Sequence, residues 1–163
     1  MDDLAAQAGT LLKSHGLMLA TAESCTGGGV SQAITEVAGS SAWFERGFVT
    51  YSNLSKQQML GVSESTLIQH GAVSERTVRE MVEGALKHSN AQVALAVSGI
   101  AGPDGGTPDK PVGTVWFAWG LKDAETHAQR YQLGGNRAEV RVQSVQIALQ
   151  GVVNLLKEIT KTA

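Results

Sequence analysis

The chain has a single cysteine among its 163 residues. That excludes an internal disulfide and any cysteine cluster for zinc or iron–sulfur, and it suits a reducing compartment. Charge of one sign is also lacking: 13 Lys+Arg stand against 15 Asp+Glu, the net charge is −2, and no five like charges follow one another. The electrostatic footprint of a nucleic-acid binder is therefore missing, and no direct nucleic-acid binding is expected. Long hydrophobic runs are missing too. The longest mostly apolar stretches, around Val93–Val97 and Val115–Trp119, fall far short of the roughly 20 residues that span a bilayer, so no membrane segment is expected. The opening Met1-Asp2-Asp3-Leu4 is acidic first and then amphipathic, unlike the basic leader of an export signal, which makes the expected location cytoplasmic. At this length a compact fold buries about 68–70% of its unfolded surface, so residues 1–163 are expected to form one domain without disulfides or a structural metal.

Glycine is plentiful, at 19 residues, and it punctuates a regular alternation of periods. Leu4, Ala5, Ala8, Leu11 and Leu12 recur at helical spacing before His15-Gly16, which predicts a helix over Asp2–Ser14. Leu17–Ala22 is a short apolar run that ends in Glu23-Ser24-Cys25-Thr26-Gly27-Gly28-Gly29, after which Val30, Ala33, Ile34 and Val37 resume helical spacing. That is a strand, a glycine-rich turn and a helix. Trp43–Tyr51 reads as a second strand, followed by a helix that opens at Ser52 or Asn53 and carries Lys56 in its first turns. Glu64–Gln69 predicts a short helix and Ser74-Glu75-Arg76-Thr77 opens a longer one, while Ala91–Val97 is a strand buried on both sides. Val112–Leu121 and Ala128–Leu133 read as an antiparallel hairpin across Lys122–Glu125, and Ala138–Ile159 as a long closing helix. Helices alternating with short strands imply an α/β class, with helices on both faces of a mixed, mostly parallel sheet. The Gly99–Pro111 loop is the one segment whose composition suggests mobility.

Three glycine-bearing turns follow predicted strands, at Glu23–Gly29, Ser98–Gly106 and Leu133–Arg137. In open α/β sheets ligands bind beyond the carboxyl ends of parallel strands, so the first two turns should share one crevice. The first sets two hydroxyls and a thiol just before a helix N-terminus, which favours anions and developing oxyanions. It lacks the Gly-Lys-Ser/Thr of a phosphate loop and the Gly-x-Gly-x-x-Gly of a dinucleotide turn. Ser24 thus stands as a nucleophile, or the turn is simply a capped helix start. Serine needs a base. His15, His70, His88 and His127 each read first as surface or helix-end residues, whereas Lys56 leaves a predicted strand near the same rim. The competing reading of Lys56 is an exposed lysine at a polar helix start. Arg137 combines a guanidinium with a helix N-terminus and suits a phosphate, or is only a helix-start charge, with Arg141 one turn further on. Glu23 and Asp104 are candidates for a ligand hydroxyl or a cation, yet no His/Asp/Glu cluster has metal-ligand spacing, so no metal is expected. Cys25 reads as a small packed residue.

Beyond these motifs, Ala22-Glu23-Ser24-Cys25-Thr26-Gly27-Gly28 resembles the CinA C-terminal-domain family. The likeness continues through Gly39–Phe44, Gly47–Asn53, His70–Ser74, Ser98–Gly106 and Lys110–Val115, in order along nearly the whole chain. Stand-alone members of that family include bacterial nicotinamide mononucleotide deamidases. The resemblance implies hydrolysis of the carboxamide of nicotinamide mononucleotide to nicotinate mononucleotide and ammonia, in pyridine-nucleotide recycling, with no metal or cofactor. It further implies a three-layer α/β/α sandwich of about five strands with one antiparallel, and a homo-oligomer. The nucleophile maps to Ser24, with Lys56 activating it and Tyr51 holding Lys56. Backbone N–H groups of Thr26, Gly27 and Gly28, or of Ser98, Gly99 and Gly102, are then expected at the oxyanion, and Arg137 at the substrate phosphate. Two positions depart from the family pattern: Gly29, where a larger residue is common, and Asn136, where Asp is common. The alternative they motivate is a non-catalytic nucleotide-sensing or protein-interaction module of the same fold.

Overall fold

A computed structural model describes residues 4–162. Helix α1 (Leu4–His15) leads into β1 (Leu19–Glu23) and α2 (Gly29–Thr35); a short 3-10 turn (Ser40–Ala42) precedes β2 (Phe44–Val49), α3 (Asn53–Leu60), α4 (Glu64–His70) and α5 (Glu75–Lys87). The chain closes with β3 (Val93–Gly99), β4 (Thr114–Leu121), β5 (His127–Gln132) and α6 (Arg137–Thr162). The predicted first helix is present, although its expected start at Asp2 lies outside the described residues. β1 begins two residues later than its apolar run because Leu17 is used by the helix before it. The Gly16 N–H donates to Lys13 O and the Leu17 N–H to Leu12 O, the paired bonds of a Schellman cap. β4 likewise starts at Thr114 rather than Val112, since Gly113 sits at φ 95° and interrupts the extended backbone.

The five strands lie in the order β2-β1-β3-β4-β5. β1 pairs in parallel with β2 and β3, whereas β4 is antiparallel to both β3 and β5, so one strand runs against the other four. This is the mixed three-layer sandwich that the alternation of elements predicts. On one face Leu12, Val30, Ile34, Leu149, Val152 and other residues of α1, α2 and α6 cover Leu19, Leu95, Val97 and Phe117. On the other, Leu60, Val78, Met81 and Val82 cover Ala20, Ala22, Ala94, Ala96 and Ala118. Small alanines on this second face let the helices approach closely. The approach is tightest at Gly84 of α5, where a Cβ would lie 1.9 Å from the Leu60 carbonyl oxygen. α3 is thereby seated with its carboxyl end against α5. No helix among the described residues is long and apolar enough to cross a membrane.

Candidate active site

The register makes the site. Glu23 at the end of β1 is level with Val49 of β2 and Val97 of β3, so the next residues along the three strands, Ser24, Thr50 and Ser98, emerge together at the carboxyl edge. Strand side chains alternate between faces. Glu23 accordingly points to the α2 face and is fully buried there. Its carboxylate accepts from Thr26 Oγ1 at 2.5 Å, the Val30 N–H at 2.9 Å, and the Ser31 N–H and Oγ at 2.9 and 2.8 Å. The expected ligand role for Glu23 is therefore corrected: its acceptors serve the free N–H groups of the α2 start.

Ser24, one residue on, turns towards the opposite face. Lys56 Nζ donates to Ser24 Oγ at 3.1 Å and to the Thr50 carbonyl at 2.9 Å. α3 delivers that lysine through a capping box, in which Ser52 Oγ accepts the Ser55 N–H and Ser55 Oγ accepts the Ser52 N–H. Lys56 is only 1% exposed, unlike the solvated lysine that its polar helix start allows for. Burial in turn lowers its pKa from 10.5 to about 8, opposed by the nearby Cys25 thiol. At pH 7 the neutral, proton-accepting amine is then about one lysine in ten, roughly 300-fold more than an unperturbed side chain offers. Burial pushes the Cys25 thiol the other way, up to about 11, with Arg141 and the Gly99 N–H partly opposing. It stays protonated at neutral pH, which leaves the Ser24 hydroxyl as the candidate nucleophile of this turn.

The turn itself is tightly bonded. The Ser24 N–H donates to Val97 O, Gly27 N–H to Ser24 O and Gly29 N–H to Thr26 O. Gly27 and Gly28 adopt φ values of 58° and 101°, which side chains with a Cβ rarely take. The Thr26 hydroxyl is used by Glu23, and its carbonyl by the Gly29 N–H. Ser98 is buried at the end of β3. Gly99 and Gly102 have packing reasons to be glycine, since a Cβ would meet Val115 Cγ2 at 2.6 Å and Val112 Cγ1 at 2.5 Å.

The third turn does reach this rim. Asn136 caps α6 by accepting the Glu139 N–H at 2.9 Å, while Glu139 Oε1 accepts the Asn136 N–H at 2.8 Å. The neutral amide thus fulfils the capping role without a charge. Arg137 donates from Nη1 to Gly102 O at 2.8 Å and from Nη2 to the Tyr51 hydroxyl at 3.1 Å. Tyr51, 63% exposed, therefore pairs with Arg137, and the group that holds Lys56 is the carbonyl of Thr50. Sequence reasoning also missed what Arg141 touches: its Nε and Nη2 donate to Cys25 O and Thr26 O at 3.1 and 3.2 Å. The available signal was its position four residues after Arg137, on the same helix face.

The histidines lie elsewhere: His15 bonds Thr160 Oγ1 at 2.8 Å, and His70, His88 and His127 are exposed. Among the described residues no group of three or more His, Cys, Asp or Glu side chains could hold a metal ion, and Asp104 is exposed on its loop. That loop is tied down, with Lys110 Nζ donating to His70 O and Arg130 Nη2 to Asp109 O. A groove of about 510 Å³ between β5 and α6, lined by Trp119, His127, Tyr131, Ile147 and Leu155 among others, shares no residue with the site.

The fold and this edge define an α/β/α sandwich with a buried serine–lysine pair where three loops meet. The chain belongs to the CinA C-terminal domain family, whose model matches residues 1–156. It is 58% identical over 147 residues to the nicotinamide-nucleotide amidohydrolase PncC of Escherichia coli K12, covering 90% of this chain and 89% of that protein. The protein of the same name from Enterobacter agglomerans is 54% identical over 150 residues, 92% of each chain. Among solved structures, the competence/damage inducible protein CihA of Agrobacterium tumefaciens superposes with a TM-score of 0.92 at 46% identity, covering 94% of both chains.

Proposed function

We propose that this enzyme hydrolyses the carboxamide of nicotinamide mononucleotide, releasing nicotinate mononucleotide and ammonia in pyridine-nucleotide recycling. The observation that carries the reading is the 3.1 Å contact between Ser24 Oγ and a buried Lys56 amine, in a chain more than half identical to two proteins named for this activity. Neutral Lys56 takes the Ser24 proton as Oγ attacks the carboxamide carbon, and the carbonyl π pair moves to oxygen. The Thr26 N–H at the start of this turn receives that oxyanion, the Gly27 N–H being held by Ser24 O, and such a donor is worth about 2.7–4 kcal/mol. When the oxyanion collapses the C–N bond breaks, the lysine proton passes to the departing nitrogen, and ammonia leaves a Ser24 ester. Water then attacks the ester as Lys56 accepts its proton, which returns to Ser24 as nicotinate mononucleotide departs. Arg137, at the N-terminus of α6, is assigned to the substrate phosphate and keeps Tyr51 beside it.

The substrate is expected to bind in a cytoplasmic, one-domain homo-oligomer, a reading that rests on the family likeness. The test is to incubate the purified protein with nicotinamide mononucleotide, with and without chelator, and to follow both products. Equal amounts of ammonia and nicotinate mononucleotide, unaffected by chelator and lost in Ser24→Ala, are expected. Binding of the nucleotide without product would instead support a sensing module.

A further inference from the structure

Arg141 is not needed for the chemistry above, yet it holds the two consecutive carbonyls of the nucleophile turn, Cys25 O and Thr26 O. In a trans peptide the carbonyl and the following N–H point in opposite directions. Drawing the Cys25 carbonyl towards α6 therefore turns the Thr26 N–H away from α6. Drawing the Thr26 carbonyl the same way does likewise for the Gly27 N–H, which is taken up by Ser24 O at 3.0 Å. The Thr26 N–H has no partner among the described residues. α6 packs on the sheet face covered by α1 and α2, whereas the residues of α3 cover the opposite face. Away from α6 is thus the side on which Ser24 Oγ meets Lys56.

We propose that Arg141 is a positioning residue, fixing the Cys25–Thr26 peptide so that the Thr26 N–H faces the oxyanion formed on Ser24. The inference rests on the amidohydrolase reading and deepens it. A guanidinium suits this task because its planar fork spans adjacent oxygens, which a lysine ammonium on a flexible stem does not. It is also carried by the helix that bears Arg137, four residues earlier, so one rigid element sets both the proposed phosphate grip and the proposed oxyanion donor. Arg141 lines a cleft of about 330 Å³ with Thr26, Gly29, Gln32 and Val145, and a direct grip on substrate there is the rival that the test must separate.

Arg141→Gln and Arg141→Lys are compared with the unmodified enzyme in two assays. One is steady-state turnover of nicotinamide mononucleotide, and the other is the rate at which a fluorophosphonate, losing fluoride, labels Ser24. Because the probe carries no nucleotide, its rate reports on the serine and its oxyanion donor alone. The expected result for Arg141→Gln is a kcat lowered by about 10²-fold, of the order found on removing one oxyanion donor, with KM nearly unchanged and labelling slowed in parallel. Arg141→Lys recovers only part of both rates. A raised KM with unchanged kcat and labelling would make Arg141 a substrate ligand and overturn the proposal, as would two variants that behave like wild type. Slower labelling in variants of a protein that never deamidates the nucleotide would leave the positioning role standing and remove the amidohydrolase reading. Should both variants fail to fold, the amide resonance of Thr26 decides in the unmodified protein. A downfield shift on phosphonylation of Ser24 is expected, and an unmoved resonance overturns the proposal.

Discussion

Two ionisable side chains, Glu23 and Lys56, are buried on either side of one strand end, and they are treated in opposite ways. Glu23 is surrounded by four donors from the start of α2 and from Thr26. Lys56 has two oxygen partners, Ser24 Oγ and Thr50 O, and its burial depresses its pKa to about 8. Satisfying a buried charge makes an anchor, whereas leaving it short of partners makes a base. The two environments meet at one strand end because alternation sends Glu23 to the α2 N-terminus and its neighbour Ser24 to the lysine.

The largest effect expected is on chemistry. Ser24→Ala or Lys56→Ala should fold normally, by circular dichroism, and lose turnover of nicotinamide mononucleotide by about 10³-fold or more. Near-normal turnover in Lys56→Ala would break the contrast by showing that no base is needed from that side. On the anchoring side, Glu23→Ala should destabilise the fold in urea denaturation by about 1–3 kcal/mol for each buried donor left without an acceptor, the Val30 and Ser31 N–H groups first among them. Gly84→Ala, which drives a methyl into the Leu60 carbonyl, should cost about 1–3 kcal/mol and lower turnover by moving the helix that carries Lys56.

A smaller effect of opposite sign sharpens the comparison. Lys56→Met should stabilise the fold at neutral pH by on the order of 1–3 kcal/mol while abolishing activity. Below about pH 8 the lysine is protonated in both folded and unfolded chains, so the full cost of burying its charge is present. Between about 8 and 10.5 the folded protein sheds that proton first, so wild-type stability rises and the gap to Lys56→Met narrows. A gap independent of pH would mean that Lys56 is not destabilised by its burial.

Much of this was legible in the sequence because local periodicity carries it. The apolar spacing in α1, α5 and α6 and the Leu-to-Glu run of β1 mark the elements, and the strand–glycine turn–helix pattern singles out Ser24. Lys56 was legible through its place just after Tyr51-Ser52-Asn53 at a strand exit. The pairings across the chain were not. Arg137 meets Tyr51 across 86 positions, and Arg141 meets Cys25 across 116; no local pattern encodes such distances. Family likeness assigns Tyr51 to Lys56, but the carbonyl before it is what reaches the amine, since Thr50 is still bonded to Glu23 at the sheet edge while Tyr51 has left it. Sequence alone leaves Glu23 a candidate ligand residue because its four donors become neighbours only once α2 folds back on the strand.

The most direct test of the serine–lysine claim is kcat/KM for nicotinamide mononucleotide as a function of pH, since that ratio reports the free enzyme's titration. A lysine that must be neutral to accept the Ser24 proton predicts a rate that climbs about tenfold per pH unit and levels off near pH 8. A rate that stays flat from about pH 6 to 9, with the protein folded throughout, would contradict it.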